Sequence, residues 1–255
     1  MRYVDEGVRD VIFPSDNDEG IPFLDPMLCA DMLDYPIVRW GRLNRSSVRH
    51  ARTLHFYTDD YKFSSLWSKP TLLAELPVVT AVECNYSIAE NSPRAVVLWR
   101  TFQKRWLARY WQLYGVRVVV DVNVPERYWE ENMLGVPLGW SAYATRGYNG
   151  NTVESITDQY FKCLTWSGRD NILFLVVGGG ASVGSACLRN RWVWLPEDSH
   201  LYDRRKRSGA SAWAVINRNY VSMLSRKRPD TPLTDSSKKR IKIWRNILKT
   251  TALQQ

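Results

Sequence analysis

Two adjacent carboxylates are the first residues in this chain whose placement suggests chemistry. In LHFYTDDYKFSSLWSKP, residues 54–70, an apolar run stops at Asp59 and Asp60, and aromatics follow at Tyr61, Phe63 and Trp67. A strand that leaves a core and enters an acid-bearing turn is where α/β proteins place their functional groups. Two readings fit the pair. Either at least one acid works in a site, or one of them caps the helix that starts nearby by accepting from its orphan N–H groups. Paired carboxylates repel, so a site that keeps both ionised needs a cation, an arginine or several N–H donors.

Further candidates fall where other strands should end. VVTAV runs into Glu83, Asn85 and Ser87; VRVVV runs into Asp121 and Asn123; WSAYAT runs into Arg146; NILFLVV runs into Gly178, Gly179 and Gly180. If Asp59, Asp60 and Asp121 converge, they form a catalytic set able to hold Mg²⁺ through oxygen ligands. Asn85, Ser87, Arg105 and the three glycines are then the expected ligand-binding residues. Arg105 either reaches the strand ends to meet an anion or the acid pair, or shares a solvated helix face with Arg109. The glycine loop reads either as a phosphate cradle or as a tight strand-to-helix turn. It departs from both familiar nucleotide patterns, because Ser185 follows Gly184 where a P-loop needs lysine and Val183 stands where a dinucleotide fingerprint needs glycine.

Other chemistries lack their residues. The only histidines are His50, His55 and His200, so no His-x-His nicking site or zinc-hydrolase pattern is present. No G-x-S-x-G elbow occurs. The four cysteines, Cys29, Cys84, Cys163 and Cys187, are too scattered for a zinc knuckle or a disulfide framework.

These candidates need a scaffold to position them. Residues 94–114 carry Leu98, Phe102, Trp106, Tyr110 and Leu113 near a 3.6 period, with Ser92-Pro93 at the start and Gly115 as the stop, which predicts a long helix. Strands are expected at 78–82, 116–122, 140–145, 171–177 and 191–195. Helices are expected around 126–134, at 152–166 and after Val183. This alternation implies an α/β fold with a mainly parallel sheet flanked by helices, open or partly barrel-like. The expected organisation is an acidic, irregular arm (1–50), an α/β core (51–200) and a basic helical extension (201–255). The arm is expected to pack through Phe13, Phe23, Leu24 and Met27.

Charge separates the ends. Residues 1–36 carry a net −7, and residues 201–255 carry a net +11 of the chain's +9 total, leaving about +5 for the middle. A dense basic segment is the electrostatic outline of a protein that meets phosphate backbones, although such a segment also serves as a solvated tail. The expected nucleic-acid-binding residues are Arg204, Arg205, Lys206, Arg207, Arg226, Lys227, Arg228, Lys238, Lys239 and Arg240. Trp40, Trp192 and Trp244 stand beside basic residues and could stack on bases. The start, MRYVDEGVRD, lacks a signal-peptide pattern and no apolar run reaches membrane-spanning length, so a cytoplasmic place is expected.

HFYTDDYKFSSLWSKP, followed by CNYSIAENSPRAVVLWRTFQKRWLARYWQLYGVRVVVDV, resembles a domain family of phages, prophages, plasmids and other mobile elements, one catalogued as a domain of unknown function. Asp59, Asp60, Tyr61, Phe63, Trp67, Ser87, Trp99 and Arg105 fall on its pattern, while Asn85 stands where the family has a strand-end aspartate. The resemblance covers roughly 51–125 and, in outline, 140–195. It implies a mobile-element origin and supplies no reaction. The leading expectation is a nucleic-acid-associated protein serving replication or maintenance of such an element. Its rivals are a metal- or phosphate-dependent enzyme for a nucleotide or sugar phosphate, and a phage interaction or structural protein.

Overall fold

The computed structural model describes residues 11–41, 48–147 and 152–196. The tail cations from Arg204 onward, His200 and Trp244 lie outside the described residues. Seven strands form one sheet: β1 (Ile37–Arg39), β2 (Thr53–His55), β3 (Thr80–Val82), β4 (Arg117–Asp121), β5 (Ala142–Gly147), β6 (Leu173–Gly178) and β7 (Val193–Leu195). Every neighbouring pair is parallel, and spatial order equals chain order. Each crossover therefore advances one strand in the same direction. Right-handed crossovers then put all the helices on one face of the sheet. The sheet curls into a half-barrel with its other face inward.

The helices are α1 (Ser65–Ser68), α2 (Thr71–Ala74), α3 (Arg94–Gln112), α4 (Trp129–Met133), α5 (Val153–Ser167) and α6 (Gly180–Asn190). Alternation along the strands assigns the faces. Val38, Leu54, Phe56 and Ala81 pack outward with Leu66, Leu73, Leu107 and Trp111 of α1–α3. Val118, Val120, Tyr143, Phe174 and Val176 pack outward with Met133, Ile156, Leu164 and Cys187 of α4–α6. Tyr57, Val82, Val119, Ala142, Ala144, Leu175 and Val193 make the inner cluster, joined by Ala30 and Leu33 of the N-terminal segment.

That segment also closes the amino end of the sheet. The Asp34 carboxylate accepts from Thr80 Oγ1 (2.9 Å) and Arg117 Nη2 (2.8 Å), while the Asp34 N–H donates to Thr53 Oγ1 (2.8 Å). One acid thus ties the starts of β2, β3 and β4 together. The carboxyl ends are left as the open end of the half-barrel.

Several details differ from the sequence expectation. β1 lies inside the stretch read as an irregular arm; three residues beside a turn are too short to show a period. Phe13 and Leu24 are buried as expected, but Met27 is 86% exposed at the tip of a 3₁₀ turn. Helix α3 starts with Pro93 at its N-cap, and Ser92 instead accepts from the Ala89 N–H. Its buried face is Val97, Thr101, Lys104, Ala108 and Trp111, with Leu113 half exposed. The apolar stripe read from the sequence is the flank of that face. Trp192 is buried in the outer core and is not a surface stacking platform. Helix α6 begins at Gly180, before Val183.

Candidate functional site

A cleft of about 690 Å³ opens at the carboxyl ends of β2–β5, within the roughly 300–1,000 Å³ usual for small-ligand sites. Asn85 and Asn123 form its floor, bonded to each other (Nδ2 to Oδ1, 2.9 Å). Arg146 and Lys162 are its cations, Asp59 and Asp158 stand among its acids, and Trp129 supplies an aromatic wall. Gln159, from α5, is fixed by accepting from Thr145 Oγ1 at 2.6 Å. Lys162 Nζ donates to Glu126 Oε1 (2.8 Å) and lies 5.4 Å from the Trp129 ring.

Beside the cleft lies a buried charge network. The Tyr57 hydroxyl donates to Asp121 Oδ1 (2.9 Å), and Lys104 Nζ donates to Asp121 Oδ2 (3.2 Å) and to the Asp121 carbonyl (3.1 Å). Arg105 pairs with Glu83 and also donates to the Asn132 (2.6 Å) and Leu134 (3.0 Å) carbonyls. Glu83 Oε2 accepts the Asp121 N–H at 3.1 Å, standing in for the backbone of β3 where that strand leaves the sheet. Lys104, Arg105, Glu83 and Asp121 are all essentially inaccessible to solvent. Burial first, and then the Asp121 charge, push the Tyr57 phenol well above its ordinary range, so it stays a donor. The N–H of Asn123 donates to Asp121 Oδ1 (3.2 Å), so the network anchors the cleft floor.

Asp59, Asn85 and Ser87 come together in the cleft lining, but Asp59, Asp60 and Asp121 do not gather around one point. Asp60 accepts from the Ser87 N–H (3.0 Å) and hydroxyl (2.9 Å), stitching the loop after β2 to the loop after β3. Asp59 sits at the N-cap position of a 3₁₀ turn without capping it; it pairs with Lys62 at 2.7 Å, which holds its carboxyl below the usual range. The acid pair is thus relieved by Ser87 and Lys62, and Arg105 meets neither acid. Asp121 spends both oxygens on Tyr57, Asn123 and Lys104. Among the described residues no three His, Cys, Asp or Glu side chains come together to hold a metal ion.

The glycine loop is a tight turn: Gly178, Gly179 and Gly180 have φ of +83°, +85° and +70°. A Cβ on Gly179 would lie 2.6 Å from Val183 Cγ2 and 2.8 Å from the Gly147 carbonyl, so the bare backbone is needed for close packing.

A solvated helix face shared with Arg100 is what the sequence suggests for Lys104, and the structure buries it instead; Tyr57 and the α5 residues Asp158, Gln159 and Lys162 are not singled out by the sequence. The signal for Lys104 was its position one turn from Thr101 and Ala108, on the face that packs against the sheet. A lysine there must be paired.

The chain belongs to the family described as Domain of unknown function (DUF4417), whose model matches residues 13–172 and so covers the network and the cleft. It is also similar to the "Gene 1 protein" of Mycobacterium phage L5, 32% identical over 155 residues, covering 58% of this chain and 66% of that protein. It is similar to the "Gene 1 protein" of Mycobacterium phage D29 as well, 33% identical over 113 residues, covering 42% and 40%. The matches span less than two thirds of those phage proteins' length. No solved structure matches the chain. Among the described residues no helix is long and apolar enough to cross a membrane.

Proposed function

We propose that this phage-type member of DUF4417 binds a nucleotide or sugar phosphate in the strand-end cleft. The carrying observation is the cleft's mixed lining. Amides and carboxylates (Asn85, Asn123, Gln159, Asp158) suit ligand hydroxyls, Trp129 offers a flat apolar face, and Arg146 offers a guanidinium for an anionic group. Parallel α/β sheets hold ligands outside the carboxyl ends of their strands, and here the amino end is sealed by Asp34 and Leu33. Asp59 lines the same cleft and is the exposed member of the acid pair, which makes it the better candidate for contact with a ligand.

Calorimetric titration of the full chain with nucleoside monophosphates and with hexose phosphates tests this reading. One saturable site is expected, weakened at least tenfold by Asn123→Leu with the melting temperature held. Absence of saturable binding across both series would reject it.

A second reading rests on charge. The +11 of residues 201–255 supports association with nucleic acid, in replication or maintenance of the element, through Arg204–Arg207, Arg226–Arg228 and Lys238–Arg240. The two readings are compatible, since a protein held on a polynucleotide can also bind a nucleotide unit.

A further inference from the structure

We propose that the cleft recognises the ribose of a ribonucleotide, with its two adjacent hydroxyls held by Asp158 and Gln159 of α5, and so disfavours a 2′-deoxyribonucleotide. The proposal rests on the cleft reading and names the sugar that the cleft takes.

Helix α5 turns one face to the cleft. Ser155, Asp158, Gln159 and Lys162 line it, at the spacing that keeps helical side chains on one side. Two of the four are spent within the protein. The Ser155 hydroxyl donates to the Thr152 carbonyl (3.1 Å) where the helix starts, and Lys162 Nζ donates to Glu126 Oε1 (2.8 Å). The other two keep capacity for a ligand. Asp158 is exposed and makes no hydrogen bond or ion pair among the described residues. Gln159 is half-buried, and its Oε1 lies 2.6 Å from Thr145 Oγ1. Two oxygens that close share a proton, which only the threonine hydroxyl carries, so the amide is held one way round. Its NH₂ group is left without a protein partner among the described residues.

A carboxylate only accepts and an amide NH₂ only donates, whereas a hydroxyl does both. Neighbouring side chains that offer one of each therefore complete a hydroxyl, which accepts from Gln159 and donates to Asp158. The second carboxylate oxygen takes the proton of the adjacent hydroxyl, as a ribose 2′,3′-diol requires. A carboxylate serves a ribose hydroxyl in the same way in dinucleotide-binding parallel α/β folds. A phosphate would be repelled by Asp158, so this corner of the cleft belongs to the neutral, hydroxyl-bearing part of the ligand. The floor continues the pattern. Thr145 follows Ala144, the ladder partner of Asp121, so Gln159 stands beside the strand end that carries Asn123. Asn85 Oδ1 accepts from Asn123 Nδ2 (2.9 Å), which leaves the Asn85 NH₂ as a further donor on the floor. At about 690 Å³ the cleft has room for a base and a phosphate beside the sugar.

The test is calorimetric titration of the full chain with AMP, GMP, CMP and UMP, each paired with its 2′-deoxy form. The tightest-binding ribonucleotide is expected to bind roughly tenfold or more tightly than its deoxy form, the loss of a hydroxyl bonded to a charged group. Asp158→Ala and Gln159→Met should each abolish that preference. Thr145→Val, which frees the amide, should reduce it, and Thr145→Ser, which keeps the hydroxyl, should retain it. The preference is a ratio of two ligands on one variant, so a merely structural threonine would leave it unmoved. If the Thr145 variants do not fold, the exposed Asp158→Ala decides. Equal binding of both forms by the parent chain, or a preference preserved in Asp158→Ala and Gln159→Met, would overturn the proposal. Nucleotide binding that Asn123→Leu weakens but that shows no ribose preference would reject it and leave the cleft reading standing, as would saturable binding of hexose phosphates alone. Absence of saturable binding in both series would reject the cleft reading itself.

Discussion

At the scale of residues, the two adjacent aspartates have separated roles. Asp60 joins two loops through Ser87, and its carboxylate takes two hydrogen bonds that asparagine can only partly replace. Asp60→Asn is expected to lower stability by about 1 kcal/mol in urea unfolding. Asp59→Asn should leave the unfolding midpoint unchanged and alter ligand affinity, because Asp59 is exposed at the cleft wall. Equal loss of stability in the two variants would mean that both are structural. His55 carries a pH prediction. Its folded value of about 3 lies below the ordinary 6.5, so the unfolded chain takes up this proton first as pH falls. The associated stability is complete above about pH 6.5 and declines toward pH 3, by about 1.4 kcal/mol per pH unit well inside that window. The charges of Arg39 and Arg146 act on the ring, and the Tyr57 ring lies 5.9 Å from it. Urea unfolding at pH 7 and pH 5 should show a smaller drop for His55→Gln than for the parent chain.

At the scale of elements, helix α3 carries the strand ends. Lys104 and Arg105 cross from it to Asp121 and Glu83, fixing the ends of β3 and β4 on which Asn85 and Asn123 sit. Removing one member of a buried pair leaves the other charge stranded, so Lys104→Met is expected to cost about 3–5 kcal/mol in urea unfolding. The double change Lys104→Met with Asp121→Leu should recover part of that loss. Helix α3 was legible in the sequence because nineteen residues display their period, and β4 and β6 because VVV and LFLVV are continuous apolar runs. The three-residue β1 was not legible, since its place comes from pairing with β2. Convergence of Asp59, Asp60 and Asp121 failed for a related reason. Strand-end position was readable, but the partners that claim each carboxylate come from α3 and from neighbouring loops. The motif residues Phe63, Trp67, Trp99 and Arg105 turn out to pack or pair inside the fold: Phe63 against Tyr86, Trp67 edge-on to Trp99 at 5.5 Å, and Arg105 with Glu83. Much of that motif therefore specifies the scaffold of the cleft.

At the scale of the whole molecule, the half-barrel has a closed amino end and an open carboxyl end. Asp34 and Asp31 of the acidic segment meet Arg117 at the amino end, so these acids have local partners. The nucleic-acid reading proposed above puts its weight on the basic residues from Arg204 onward. Removing residues 201–255 is expected to abolish the steep salt dependence of DNA or RNA binding in filter or anisotropy assays. Unchanged affinity and salt slope would reduce the segment to a solubility device. The central claim, that the strand-end cleft is the ligand site, is tested most directly by a crystal structure of the full chain with the tightest-binding nucleotide or sugar phosphate from the titrations. The ligand is expected between Trp129 and the Asn85–Asn123 pair, with its phosphate toward Arg146. A ligand bound on the outer helices or at the amino end, with the cleft empty, would contradict the account.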